Sequence, residues 1–394
     1  MIFRCDMKEL KSMAVVCNDF PSEGRATYVF VEQLVNALVD LGVEVKVIAP
    51  QSLVRIISCR DKRLPKHCRV RTKKGNNYEV FRPLGLSLGN HLGFLDPLLL
   101  SNNRRKIAKV LNGFDVDAVY CHFWENVRKI QQYAIRKRLP AFVACGEGDD
   151  ALENMMETIS IGDKKELVQC VKGVISVSSE NKRKCIDYQL SDQENITVQP
   201  NCADTTIFYN QEVAEMKREL GIGERDFTIA FVGGFIPRKG PDRLARAVTN
   251  LNDKHIKVMF IGKPFSGYDY EFDCPGIIHK GSADHDVIPK LLNCADVFVL
   301  PTKKEGCCNA IIEALACGLP VISSDGSFND DILDEKNSIR IDPDDVDALA
   351  RAIAYLRDNP DVCQQMRGVS ISRHEQYSIE GRARRIKEFI EERL

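Results

Sequence analysis

Near its C-terminal end the chain reads DVFVLPTKKEGCCNAIIEALACGLPVISSD, Asp296 to Asp325, and few folds accommodate that punctuation. The run Asp296 to Leu300 is short, apolar and β-branched, which reads as a buried parallel strand, and Pro301 ends its pairing. A polar loop follows from Thr302 to Cys308. Asn309 is expected to cap a helix that runs through Cys317; Gly318 closes it, and Leu319 to Ile322 open the next strand. This is a βαβ unit. In open α/β sheets ligands sit beyond the carboxyl ends of the strands. Glu305 therefore lies on the ligand-facing loop, and Glu313, after seven intervening residues, falls about two turns into the helix. The backbone N–H groups of Gly306, Cys307, Cys308, Asn309 and Ala310 would sit at the positive end of that helix, suited to an anion or to sugar hydroxyls. Taken singly, Glu305 also fits a solvated loop residue and Glu313 a partner for a lysine on its own helix surface.

The remainder of the chain repeats the alternation of strand and helix in two sets. Met13–Asn18, Val43–Ile48, Glu79–Arg82, Ala118–His122, Ala141–Ala144, Val174–Val177 and Ile196–Val198 read as one parallel sheet. Phe227–Val232, Lys257–Ile261, Ile277–Lys280, Val297–Leu300 and Pro320–Ser323 read as a second. Pro200 and Asn201 break the chain between them and mark a hinge. A length of 394 residues also exceeds one ordinary core. The expected domains are 1–199, completed by a C-terminal amphipathic helix over 379–394, and 200–378. With 44% hydrophobic and 28% charged residues and a formal charge of −1, the composition is that of a soluble globular protein without global attraction for nucleic acid. Fifteen cysteines, an odd number with no C-x-x-C pair and no secretory leader ahead of them, point to a reduced, cytoplasmic chain. Cys307 and Cys308 read as small apolar filler or as reactive thiols.

Two further segments carry chemistry. In FVGGFIPRKGPDRL, Phe231 to Leu244, a strand enters Gly233 and Gly234, and a helix begins after Gly240 with Pro241 in its first turn. Arg238 and Lys239 thus stand beside free helix N–H groups, where charge and dipole both favour a diphosphate. In the first half, a strand ending near Asn18 meets a loop with Gly24 and Arg25 and then a helix over Tyr28 to Leu41. LPAFVACGEGDD, Leu139 to Asp150, is a buried strand followed by a polar loop holding Glu147, Gly148 and Asp150.

The Glu-x(7)-Glu spacing with its Ala-x-Ala-x-Gly-x-Pro-Val ending resembles the signature of retaining GT-B glycosyltransferases of family 4. That resemblance implies an α/β fold of two Rossmann-like domains facing a central cleft, with the last helix crossing back to the first domain. It implies a hexosyltransferase-type enzyme moving a sugar from a nucleoside diphosphate sugar, UDP-sugar favoured over GDP-sugar, to a glycan or lipid-linked acceptor. Glu313 would hold the ribose, Glu305 the donor sugar, and Lys239 the diphosphate, as in the family's G-R-L-x-x-x-K-G clamp. Gly234 stands where the clamp arginine is usual, with Arg238 as its substitute. Glu147 stands where the family's H-G-x-D motif has histidine, and would bind sugar hydroxyls or, if burial raised its pKa, act as a base. His122, in YCHFWE, would face the acceptor or sit in the core. The rival readings are a UDP-sugar epimerase of the same architecture and a non-catalytic nucleotide-binding subunit.

No metal or other cofactor is expected. Asp115 and Asp117 form a D-x-D that precedes a strand instead of following one, and Asp342, Asp344 and Asp345 lack the glycine and ligand count of a calcium loop. Glycines Gly233, Gly234 and Gly240 lack the spacing of a dinucleotide fingerprint. Finally, Val54 to Lys74 holds nine Lys or Arg against one acid and is followed by the apolar run Leu84 to Leu100. The pair reads either as a contact with an anionic membrane surface or as a solvated loop before a packed segment.

Overall fold

The computed structural model describes residues 8–22, 27–58, 60–86, 96–147, 151–264 and 270–394. They form two compact units, one of residues 1–199 with 382–394, the other of 200–381.

The first unit is built on an eight-stranded sheet. Its spatial order is Ile196–Val198, Val171–Ser176, Ala141–Cys145, Ala118–His122, Ser12–Val16, Glu44–Ile48, Asn77–Phe81 and His67–Arg71. Ala118–His122 and Ala141–Cys145 are buried at every position, as expected where helices cover both faces. The sheet is not wholly parallel, however. His67–Arg71, inside the basic stretch, pairs antiparallel with Asn77–Phe81. Its exposed residues His67, Arg69 and Arg71 alternate with half-buried Cys68 and Val70. The high density of cations hides a period-two pattern, and those same charges keep this edge from pairing with another chain. Ahead of it Leu53–Ile57 is a short helix capped by Ser52, so the basic stretch is folded and not one loop.

The C-terminal helix, Ile379–Glu391, begins in the second unit and from Arg382 onward belongs to the first. Ala383, Ile386 and Ile390 are buried. Phe389 lies so close to Gly173 that a Cβ there would come within 2.6 Å of its ring. Leu10 N donates to Glu391 Oε1 at 2.9 Å, and Arg385 Nε donates to Gln199 Oε1 at 3.0 Å.

The second unit has a wholly parallel six-stranded sheet, in the order Ile277–Gly281, Ile256–Ile261, Phe227–Val232, Val297–Leu300, Val321–Ser324 and Ser338–Ile341. Ser338–Ile341 is an edge strand too short and polar to read from sequence. The order reverses between Phe227–Val232 and Val297–Leu300, and this switch point is where open α/β sheets place their ligands. The loops that follow those two strands are the ones carrying Gly233–Gly240 and Thr302–Cys308.

Candidate functional site

At the switch point of the second unit, three side chains meet on one oxygen of a fourth. Glu305 Oε1 accepts from Thr302 Oγ1 at 2.6 Å, lies 2.6 Å from Lys239 Nζ, and lies 3.2 Å from Arg238 Nη1. Arg238 also donates to the Lys304 carbonyl. Glu305 and Lys239 keep only 10% and 15% of their side-chain surface, so water screens this pair weakly, whereas Arg238 is more open.

The loop that presents these cations is shaped by groups that no sequence motif singles out. Arg243, buried two residues into the helix Pro241–Leu251, donates to the carbonyls of Pro237 at 2.8 Å, Arg238 at 3.2 Å and Pro301 at 2.7 Å. One guanidinium thereby ties both site loops together. Gly240 precedes it with φ +74°, and a Cβ there would fall 2.4 Å from the Arg243 guanidinium; glycine meets both demands. The available signal is a charged residue on the apolar side of an amphipathic helix, beside buried Leu244 and Ala247. Thr302, fully buried, has no pattern to betray it.

The helix after the acidic loop spans Asn309–Ala316. Its cap position is Cys308, not Asn309 as the sequence suggests, and no side chain caps it. Asn309 is already helical and its Oδ1 accepts from Asn201 Nδ2 at 2.9 Å, while Asn201 N donates to Cys307 Sγ at 3.3 Å. Cys308 is buried, and burial pushes its thiol up to about 11, which makes it filler at pH 7. Gly306, Cys307 and Ala310 are half-buried, and Gly318 ends the turn with φ +85°. Glu313 is half-buried, and its side chain makes no hydrogen bond or ion pair among the described residues. Burial pushes its carboxyl up to about 7. It is not paired with a lysine on its helix. A Cβ at Gly233 would have ordinary clearance, 3.6 Å from the Phe231 ring and 3.7 Å from Lys239 Cδ, and the Gly234 carbonyl accepts from Ile236 N at 3.0 Å.

In the first unit the candidate residues divide. Gly24, Arg25, Gly148 and Asp150 lie outside the described residues. Glu147 accepts from Trp124 N at 2.8 Å and from Gly146 N at 3.0 Å. Trp124 is the first residue of the helix Trp124–Lys137, so the carboxylate occupies a helix N-terminus. Burial raises its pKa, against these amide contacts. His122 is a core residue and not an exposed acceptor contact. It is 3% exposed, its ring packs edge-on to Tyr120, Phe30 and Phe123, and neither ring nitrogen has a partner among the described residues. Burial first, and Arg382 second, depress its pKa to about 3, so it stays neutral.

Asp117 is committed to the start of the sheet, accepting from Lys11 N at 3.1 Å and Ser12 N at 3.0 Å and pairing with Lys8 at 2.9 Å; Asp115 is exposed. Asp345 caps the helix Val346–Asp358 by accepting from Ala348 N at 2.7 Å. Among the described residues no three His, Cys, Asp or Glu side chains gather as metal ligands, and no helix is long and apolar enough to cross a membrane.

Residues 226–359, which contain the whole of this cluster, match the family model of glycosyl transferases group 1. An uncharacterized glycosyltransferase of Methanocaldococcus jannaschii is 25% identical over 300 residues, 70% of this chain and 74% of that protein. The UDP-Gal:alpha-D-GlcNAc-diphosphoundecaprenol alpha-1,3-galactosyltransferase of Escherichia coli is 28% identical over 203 residues, 48% of this chain and 52% of that enzyme, a match to about half its length. Among solved structures, Anabaena HepE in complex with UDP superposes with a TM-score of 0.73 at 15% identity, covering 97% of this chain and all of that one. That likeness concerns the fold, which is GT-B.

Proposed function

Taking the chain as a GT-B glycosyltransferase of group 1, we propose that it transfers a hexosyl group, with retention of configuration, from a UDP-sugar to a glycan or lipid-linked acceptor. The observation that carries this reading is the meeting of Lys239, Arg238 and Thr302 on Glu305, beside an uncapped helix N-terminus, with unpaired Glu313 further along the same helix.

A departing nucleoside diphosphate gathers negative charge at its distal phosphate, and fixed cations and N–H dipoles lower that barrier because they need no reorganisation as the charge develops. Lys239 and Arg238 supply the cations, and the amides from Gly306 to Ala310 supply the dipoles. Glu305 holds the two cations in place and offers its carboxylate to donor-sugar hydroxyls. Glu313, with no competing partner, accepts the ribose hydroxyls. With the leaving-group charge met in this way, the reaction needs no divalent metal, and activity should survive EDTA; loss on EDTA with rescue by Mn²⁺ or Mg²⁺ would contradict this.

A UDP-sugar donor is supported by the Escherichia coli relative, whose name gives UDP-Gal as donor and a diphosphoundecaprenol-linked GlcNAc as acceptor, and by the UDP complex of HepE. A lipid-linked acceptor agrees with the exposed cations Arg60, Arg63 and Lys66 beside the first unit's sheet edge, which suit an anionic membrane surface. The test is a panel of UDP-, GDP- and ADP-sugars followed by thermal shift and NMR of the released sugar. Stabilisation by UDP-sugars with slow hydrolysis to the retained anomer is expected. Epimerised donor would indicate an isomerase, and binding without turnover a non-catalytic subunit; either result overturns the transferase reading.

A further inference from the structure

The first unit holds a partly open cavity of about 560 Å³, within the usual range for small-molecule sites. It lies beyond the carboxyl ends of three strands, Ser12–Val16, Glu44–Ile48 and Asn77–Phe81, through Asn18, Ala49 and Arg82. Ligands bind in that place in an α/β sheet. We propose that this cavity takes a phosphate or diphosphate group carried by the acceptor, a proposal that rests on the transferase reading for the word acceptor but not for the anion.

Charge decides the ligand class. Five cations line the cavity, Arg55, Lys62, Arg82, Arg128 and Lys129, against three carboxylates, Asp19, Asp61 and Glu125. Two of the carboxylates are matched. Asp61 pairs with Arg55 at 2.7 Å, and Glu125 with Lys129 at 2.8 Å. Asp19 accepts from Phe20 N at 2.9 Å and from Thr27 Oγ1 at 2.8 Å.

The two remaining arginines meet no carboxylate in an ion pair among the described residues. Arg82 is 3% exposed and gives its terminal nitrogens only to Cys68 Sγ at 3.0 Å and to the Pro21 carbonyl at 3.1 Å. Arg128 Nε is buried with no partner among the described residues. Arg128 as a whole is half-buried and feels Glu125 and Asp163 at longer range, but Arg82 is a buried guanidinium with no ion-paired carboxylate among the described residues, which is costly, and no apolar or neutral ligand removes that cost. A planar fork of donors matches the oxygens of phosphate, and an anion of charge near −2 neutralises both arginines while Lys62 remains at the mouth. The basic stretch of the sequence thus turns part of its charge inward, with Arg55 and Lys62 on the cavity and Arg60, Arg63 and Lys66 outside.

Phosphate of this kind belongs either to a free sugar phosphate or to a polyisoprenyl diphosphate. Leu86, Leu99 and Leu100 on the cavity wall give the second an apolar surface to run along. Calorimetry on the full chain with inorganic pyrophosphate, farnesyl diphosphate and UDP separates the possibilities. Pyrophosphate should still bind Lys239→Ala through this cavity, and that binding should weaken about tenfold, roughly 1.4 kcal/mol, in Arg128→Gln, with a smaller loss in the exposed Lys62→Gln. UDP should show the reverse pattern. Farnesyl diphosphate binding tighter than pyrophosphate identifies a lipid carrier, and equal binding identifies a free phosphate; both support the site. Pyrophosphate that binds nowhere at millimolar concentration, or whose binding disappears in Lys239→Ala and is untouched by Arg128→Gln and Lys62→Gln, overturns it. Loss of UDP binding by the wild type alone would count against the transferase reading and leave the anion site standing.

Discussion

In the second unit a threonine and two cations converge on the carboxylate of Glu305, whereas in the first unit Arg82 and Arg128 line a cavity and form no ion pair with a carboxylate among the described residues. The second unit's cluster is satisfied from within, so its geometry is fixed ahead of any ligand, as electrostatic catalysis would require. The first unit's cavity carries surplus positive charge, which on the proposal above an anionic ligand would complete. On the proposed function, preorganisation and recognition fall to different units.

The sharpest way to break this contrast is to remove the brace of the second unit's cluster. Arg243→Met deletes three charge-assisted hydrogen bonds and leaves the Pro237, Arg238 and Pro301 carbonyls short of donors. It should destabilise the second unit by about 3–5 kcal/mol in urea unfolding. A loss under about 1 kcal/mol would mean that the site loops hold themselves.

Glu305→Gln keeps the shape and removes the charge that orders Lys239 and Arg238. Turnover should fall about 10²–10³-fold while UDP affinity holds or rises, since both cations are then released to the diphosphate. Unchanged turnover would remove Glu305 from the reaction.

Glu313 sharpens the comparison through pH. Its carboxyl is raised from the ordinary 4.5 to about 7 by burial, so the folded state holds its proton longer than the unfolded chain does. Stability therefore drains away as pH rises from about 4.5 to about 7 and is flat above. Glu313→Gln should gain about 1–3 kcal/mol at pH 8 and nothing at pH 4, while weakening both UDP and uridine. No gain at pH 8 would show that the carboxylate is already well solvated.

The smallest effect belongs to the exposed basic stretch. Binding to anionic liposomes at low salt should disappear at high salt, as the Debye length falls from about 10 Å to about 3 Å between 0.1 and 1 M. Arg60, Arg63 and Lys66 changed together to glutamine should abolish it and leave folding stability within about 0.5 kcal/mol. Equal binding to neutral liposomes would assign the contact to apolar surface instead.

The two sides also differ in how legible they are in the amino-acid sequence. Arg238, Lys239, Glu305 and Glu313 sit beside the ends of two strands adjacent in space, and strand, glycine and proline punctuation locates such positions directly. The same signals locate the βαβ unit and most strands. The cap falls at Cys308 in place of Asn309 because Asn201, more than a hundred residues away, claims the asparagine side chain, and no local pattern reports so distant a partner. Arg243 and Thr302 act through backbone carbonyls and a buried hydroxyl, which leave no spacing pattern. The cavity draws Asp19, Arg55, Arg82 and Arg128 from four separate elements, and nothing local relates them. His122 resembles a site residue because it stands at the carboxyl end of a strand; in space its ring is enclosed by Tyr120 and Phe123 beside it and by Phe30 from another element.

The proposed donor role of this cluster is most directly tested by titrating UDP and uridine separately into wild type, Lys239→Ala and Arg238→Ala. If the two cations bind the diphosphate, both variants lose UDP affinity, Lys239→Ala by about tenfold or more and Arg238→Ala by less because it is more open, while uridine binds all three proteins alike. Equal losses for UDP and uridine, or none for either, would contradict a diphosphate site at Lys239 and Arg238.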